Sequence, residues 1–258
     1  MFTKYLFLFL LCPLLVVSQE SKQVTSSYPG VAVIELFTSQ GDINCPPTDL
    51  LLSEIIADAE KNNKPVFCLS MHVDFWNRYG WKDPFSSLKY TTRLTNYTSV
   101  LGMKETYTPL MIVNGRTTLS GADHKKAFES VSAELSKKAA LKPEFTYQIF
   151  DDTLDIAYNM NAPLVTGKSG SDKYVNIAIV EKGLSTKVTK GDNAGKTLKN
   201  DQVTRLFYTT DLKTAKGVLR VPIKKLKPGP NKSIILFVQE KTTKKVVGAS
   251  AVSFLPRP

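Results

Sequence analysis

Glu35-Leu36-Phe37-Thr38-Ser39-Gln40-Gly41-Asp42-Ile43-Asn44-Cys45-Pro46-Pro47-Thr48-Asp49 carries a strand end, a turn and a helix start in fifteen residues. Val31 to Phe37 reads as an apolar strand, and Pro46 to Glu60 as a helix whose Leu51, Leu52, Ile55, Ile56 and Ala59 make a stripe at three- and four-residue steps. Cys45 therefore sits where helix N–H groups and the helix dipole stabilise a thiolate. A residue before proline is pushed out of helical backbone angles, which reads Cys45 as the N-cap and Pro46 as the first helical residue. Asp42 offers a carboxyl to the same N-terminus, a cap worth about 0.5 to 2 kcal/mol. Its charge raises the Cys45 pKa by repulsion if the two approach within about 6 Å.

Outward from this block, short apolar runs alternate with helix-length segments, the βαβ pattern of a sheet flanked by helices. Pro65 to Val73 is a second strand, near-continuous in apolar residues because both faces are covered. Pro84 to Val100 and Ala122 to Ala139 read as helices, and Leu110 to Val113 and Thr117 to Leu119 flank Asn114-Gly115, a two-residue hairpin signal. Past Pro143 the helical period disappears. Seven β-rich runs follow (Phe145–Phe150, Leu154–Met160, Tyr174–Val180, Val203–Tyr208, Val218–Ile223, Ile234–Val238 and Val246–Val252), as in an all-β, immunoglobulin-like sandwich. The expected organisation is an α/β domain over 29–142 and a β-sandwich domain over 143–258.

Met1 to Ser18 has Lys4, an apolar run from Tyr5 to Val17 and Val16-Val17-Ser18 ahead of Gln19, which reads as a secretory signal peptide over 1–18. The run is shorter than the roughly 20 residues of a spanning helix and is interrupted by Pro13. No lipobox of small residues precedes Cys12. The mature chain is then exported, periplasmic or secreted, with no stable membrane span, and it keeps Cys45 and Cys68 where thiols tend to oxidise. With 42% hydrophobic and 22% charged residues it is neither disordered nor a multi-span membrane protein. Residues 1–150 hold 15 basic and 14 acidic side chains, against 19 and 9 in 151–258. That basic second half reads as a solvated surface, with adhesion to an anionic surface as the weaker reading. Its lysines lack the aromatic interleaving of an RNA binder, so no nucleic acid is expected. The loop around Gly191 and Gly195 has the wrong glycine spacing, and no following helix, for a phosphate-cradling P-loop.

With Leu36 to Asp49, His72-Val73-Asp74-Phe75-Trp76, Gly80-Trp81-Lys82-Asp83-Pro84-Phe85, Tyr107 to Gly115, Gly191 to Leu198 and the Val238-Gln239 strand, the chain resembles an exported thioredoxin-like family known only as a secreted domain of unknown function. The resemblance implies a thioredoxin fold followed by a β-sandwich, with Thr108-Pro109 as the cis-proline facing the cysteine site. The family usually carries Cys-x-x-Cys at the helix start. Here Asp42 stands at the first position and only Cys45 remains, and a carboxyl can neither attack nor resolve a disulfide.

Three readings of Cys45 stay open: an inert structural thiol, a reactive thiol or ligand, and a disulfide with Cys68. His72 and Asp74, two apart, share a strand face and read either as a small constellation with Cys45 or as a polar pair in which Asp74 fixes the His72 tautomer. His124 reads as an exposed residue in a Lys-rich turn. Glu35, a buried acid in an apolar strand, needs a partner; the resemblance implies a proton relay, and with no dithiol to serve it reads as a structural partner of a Lys or His. Trp76, Tyr79, Trp81 and Phe85 read as an aromatic wall or as domain packing. The leading functional reading is a non-catalytic binding or interaction module for an unknown protein or small molecule, acting through Asp42, Cys45, His72, Asp74 and Pro109. Its rivals are a single-cysteine thiol oxidoreductase or peroxidase-like enzyme using Cys45 with His72, and a metal-binding protein using Cys45 and His72. No cofactor is implied.

Overall fold

The computed structural model describes residues 28–161, 172–224 and 226–256, so the signal-peptide reading lies outside the described residues. Along the chain run β1 (Tyr28–Pro29), β2 (Ala32–Thr38), α1 (Cys45–Lys61), β3 (Val66–His72), a 3₁₀ segment (Phe75–Tyr79), α2 (Leu88–Val100), β4 (Leu110–Val113), β5 (Thr117–Ser120), α3 (His124–Leu135) and β6 (Lys138–Ala139). There follow β7 (Glu144–Phe150), β8 (Thr153–Asn159), β9 (Lys173–Glu181), β10 (Leu184–Lys187), β11 (Thr197–Asn200), β12 (Val203–Asp211), β13 (Lys216–Pro222), β14 (Lys232–Glu240) and β15 (Val246–Ser253). The protein is mixed α/β and mostly sheet. Among the described residues no helix is long and apolar enough to cross a membrane.

One eight-stranded sheet has the order β15-β14-β9-β12-β3-β2-β4-β5. Its hydrogen bonding crosses position 143, because β12 runs parallel to β3 with Val203 opposite Ser70. A three-stranded sheet, β13-β8-β7, lies over the β9 and β14 part, with Leu154, Ile156 and Val221 sharing a core with Ile177, Ile179 and Leu236. All seven apolar runs after Pro143 are strands. Two more, β10 and β11, bracket the polar loop around Gly191 and Gly195.

The centre of the sheet positions everything else. β2 is buried along its whole length, and its alternation sends Val33 and Phe37 into the core beneath α2, and Ile34 and Leu36 into the core with α1 and α3. Parallel β3 follows the same division: Leu69 and Met71 on the α2 side, Cys68 on the α1 side.

Several boundaries differ from the sequence reading. Cys45 is the first residue of α1 rather than its N-cap, a place taken by Asn44 with αR backbone angles; the turn bonded through Asp42 winds the chain into helix one residue early. The helix expected from Pro84 starts at Leu88, because the Asp83 carboxyl accepts Phe85 N–H and Ser87 provides the cap, accepting Lys89 N–H. The last helix stops at Leu135, since Lys138 and Ala139 pair with Tyr28 and Pro29. Asn114 and Gly115 do take left-handed φ, 47° and 71°, yet Val113 pairs with Thr117, so Arg116 joins them in a three-residue loop. Glycine is required there for a tertiary reason: a Cβ on Gly115 would lie 1.8 Å from the Lys244 carbonyl oxygen.

Candidate functional site

Cys45 opens α1 directly above the end of β2 and is fully buried. Its Sγ accepts the Ser39 N–H at 3.3 Å and donates to Asp42 Oδ2 at 3.4 Å. Asp42, also fully buried, accepts from four donors: the Cys45 thiol, Asn44 N–H at 2.9 Å, Asn44 Nδ2 at 3.1 Å and Thr108 Oγ1 at 2.6 Å. Burial, then the Asp49 and Asp42 charges, push the Cys45 thiol pKa well above its ordinary value. Burial and these charges outweigh the helix N-terminus and keep the sulfur protonated. Cys45 and Cys68 are both free and buried, so the bridged reading is overturned; burial likewise raises the Cys68 thiol pKa.

His72 ends β3 opposite Thr38 of β2. The reading that pairs it with Asp74 is corrected. β3 stops at His72, alternation stops with it, and Asp74 stands at the N-cap position of the 3₁₀ segment, its side chain accepting from Thr91 Oγ1 at 2.6 Å. The partner of His72 is Asp83, whose Oδ2 lies 2.7 Å from Nδ1. Asp83 also accepts Gln40 N–H at 2.8 Å and Phe85 N–H at 2.9 Å. Burial is the largest single influence on both members and opposes their charge, but the partner's charge and hydrogen bond, joined by Asp49 for His72 and by the Gln40 and Phe85 N–H groups for Asp83, together outweigh it: the Asp83 pKa is lowered and the His72 pKa raised.

Asp49 stands one turn after Cys45 on α1, so both reach the same space. Its pKa is pushed up to about 7 by burial, with the nearby His72 charge resisting. Thr38 is near enough to influence both Cys45 and Asp49, but Thr38 Oγ1, Asp49 Oδ1 and His72 Nε2 are buried with no hydrogen-bond partner. Among the described residues, no three His, Cys, Asp or Glu side chains converge as a metal cage requires.

On the opposite face of β2, Glu35 finds neither Lys nor His. Its carboxyl takes a two-point contact from the Arg93 guanidinium, Nε to Oε2 and Nη2 to Oε1 at 2.9 Å, and accepts the Tyr97 hydroxyl. Gln239 closes the network: its Oε1 accepts from Arg93 Nη2 at 3.1 Å, and its Nε2 donates to Tyr97 OH at 2.7 Å. Arg93 and Tyr97 are four apart on α2, and so reach the acid together.

The motif turn is roofed from several sides. Trp76 Nε1 donates to Thr108 Oγ1 at 2.8 Å, and Trp81 Nε1 to Gln40 Oε1 at 3.2 Å. Tyr79 remains exposed, and Phe85 packs edge-on against His72. The Thr108–Pro109 bond is cis and Pro109 is buried. The polar loop after β10 supplies Asn193, fully buried, whose Nδ2 donates to the carbonyls of Gln40 and Asp42 at 3.0 Å each. Asp42, Cys45, His72 and Pro109 therefore present no open face, which corrects the expectation that a partner binds through them. His124 is exposed, 3.0 Å from Glu54. Asp49, Asp83 and Asn193 lie within the sequence motifs, but the partners of Asp83 and Asn193 are distant in the chain. The i, i+4 spacing of Cys45 and Asp49 was the available signal.

A family profile described as "Protein of unknown function (DUF1223)" matches residues 33–239. A crystal structure of a protein from Agrobacterium tumefaciens is similar at 26% identity and a TM-score of 0.63, over 89% of this chain and 97% of that one. A Ruminococcus gnavus β-glucuronidase shares 11% identity over 43% of this chain and 14% of its own at a TM-score of 0.20, too slight a likeness to carry an argument. Among curated proteins none matches in sequence.

Proposed function

The chain belongs to the DUF1223 family, and from that premise we propose that it is an exported, thioredoxin-shaped protein followed by a β-sandwich, acting as a non-catalytic binding module. In this reading Asp42 has turned a redox motif into a structural lock. The observation that carries it is the Cys45 thiol, wholly buried and donating to Asp42. A nucleophilic thiol needs access and a depressed pKa, and Cys45 has neither. Support for the thioredoxin shape is topological. β3, β2, β4 and β5 lie side by side, parallel and then antiparallel, with α1 starting at the cysteine after β2 and Pro109 immediately before β4.

The test is turnover of a model disulfide by the mature protein, together with alkylation of Cys45 under native conditions. The expected result is no reduction of insulin disulfides and no labelling until the protein unfolds. Disulfide turnover that Cys45→Ser abolishes, or rapid native labelling of Cys45, overturns the reading.

A further inference from the structure

Between α2 and the sheet strands β9, β12 and β14 lies a cavity of about 430 Å³. Lys89, Arg93 and Lys244 line it with the rings of Tyr174 and Phe207, and among the described residues no carboxyl side chain does. Its cations arrive by independent anchors. Arg93 is held from below by Glu35, and its guanidinium stacks 4.4 Å from the Phe207 ring centroid. Lys244 comes from the turn between β14 and β15, at a left-handed φ of 61°. Its carbonyl accepts from Gln239 Nε2 at 2.6 Å and rests against the space that Gly115 leaves open. Its ammonium sits 5.6 Å from the Tyr174 centroid and donates to the Lys241 carbonyl.

The fold thus brings like charges together at one concavity, against their repulsion. Burial, then the Arg93 charge, lowers the Lys244 pKa. Glu35 balances Arg93, whereas among the described residues neither Lys89 nor Lys244 has a carboxyl within ion-pair distance. Behind Thr209, which also lines the cavity, Asn176 is fully buried on β9; its Oδ1 accepts from Thr209 Oγ1 at 2.8 Å and its Nδ2 has no partner. The unspent groups are donors and cations beside aromatic faces. That lining suits a negatively charged head on a flat apolar body, and the volume is that of a small-molecule pocket.

We propose that this cavity binds a small organic anion, with Lys89 and Lys244 holding a carboxylate or phosphate group and Tyr174 and Phe207 flanking a planar apolar body. This deepens the binding-module reading and rests on it, but the two fail separately. Disulfide turnover removes the module reading whatever binds here, and absence of anion binding removes the cavity assignment while the thiol result stands.

Calorimetric titration of the mature protein at low salt with phenyl phosphate, benzoate, inorganic phosphate and benzyl alcohol tests it. The expected result is saturable binding of an aromatic anion, tighter than inorganic phosphate and absent for benzyl alcohol; whichever of phenyl phosphate and benzoate binds tighter identifies the head group. Lys89→Ala and Lys244→Ala each weaken binding about ten-fold. Lys224→Ala, in the neighbouring cavity, leaves it unchanged. Lys244→Ala keeps the bond from Gln239 to the Lys244 carbonyl but gives up the ammonium's bond to the Lys241 carbonyl, so Lys89→Ala, which leaves the turn untouched, is the control for a turn that shifts. Failure of both aromatic anions to bind, equal binding of benzyl alcohol, inorganic phosphate binding as tightly as the tighter of the two aromatic anions, or an equal loss in Lys224→Ala overturns the assignment.

Discussion

Two buried polar centres occupy opposite faces of β2, and burial has different consequences in each. Beneath α2, Glu35 meets a guanidinium, a phenol and, through them, an amide, all mutually hydrogen-bonded. Beneath α1, the carboxyls of Asp42, Asp49 and Asp83 surround one thiol and one imidazole, and three polar atoms have no protein partner. A buried acid given a matched cation holds that cation charged: burial alone would lower the Arg93 pKa, but Glu35 raises it. A buried acid whose nearest cation already serves another acid gives up its proton only at higher pH, as Asp49 does with its pKa pushed up to about 7. The number of cations per carboxyl, rather than depth, separates the two centres.

Breaking the matched side should cost most. Arg93→Met leaves Glu35 buried without its cation and should lower stability by about 3 to 5 kcal/mol in urea unfolding at neutral pH. If the loss is under about 1 kcal/mol, the two centres are not energetically distinct. On the other face, Asp83→Asn should cost roughly 3 kcal/mol, with a pH signature. The stabilisation from Asp83, whose folded pKa is lowered, is present above its unfolded value and lost as pH falls through the folded one. The contribution of His72, whose folded pKa is raised, is complete below its unfolded value and lost as pH rises through the folded one. The deficit in Asp83→Asn should therefore be widest at mildly acidic pH and should shrink towards both extremes of an unfolding series.

Asp49 has the opposite sign. Its folded pKa of about 7 lies above the unfolded 3.8, so the native state binds the extra proton and stability falls as pH rises between these values. Asp49→Asn should stabilise the protein at pH 8, by up to about 4 kcal/mol, and have little effect at pH 3; denaturation at the two pH values reads this out, and equal effects at both would remove Asp49 from the unmatched centre. The smallest effect is reserved for the roof. Asn193→Ala deprives the Gln40 and Asp42 carbonyls of a donor and should cost about 1 to 2 kcal/mol, with faster amide exchange confined to the motif turn.

Much of the local structure was legible. The stripe from Leu51 to Ala59 and the unbroken apolar run of β3 are short-range patterns, and α1 and β3 follow them within one or two residues. All seven β-rich runs past Pro143 became strands for the same reason. The site was harder to read because its pairings are not periodic. Asp74 looked like the partner of His72 because alternation was carried one step beyond the end of β3, while Asp83, eleven residues away, returns through a turn that no period describes. Arg93 carried no mark distinguishing it from a surface helix residue, yet Glu35 demanded a partner and the sequence showed that demand.

By itself, the sequence determined most of the segments that form strands and helices, that an acid rather than a second cysteine stands at position 42, and that a buried carboxyl at position 35 requires a counterpart. Those properties rest on side-chain identity and on contacts within a few residues. Only the tertiary structure decided that the Cys45 thiol is sealed beneath Asn193 and the tryptophans, that Asp83 rather than Asp74 meets His72, and that Lys244 enters a cavity beside Arg93. Burial and charge pairing are set by residues distant in the chain, and it is these that fix which groups hold their protons and which remain free to bind.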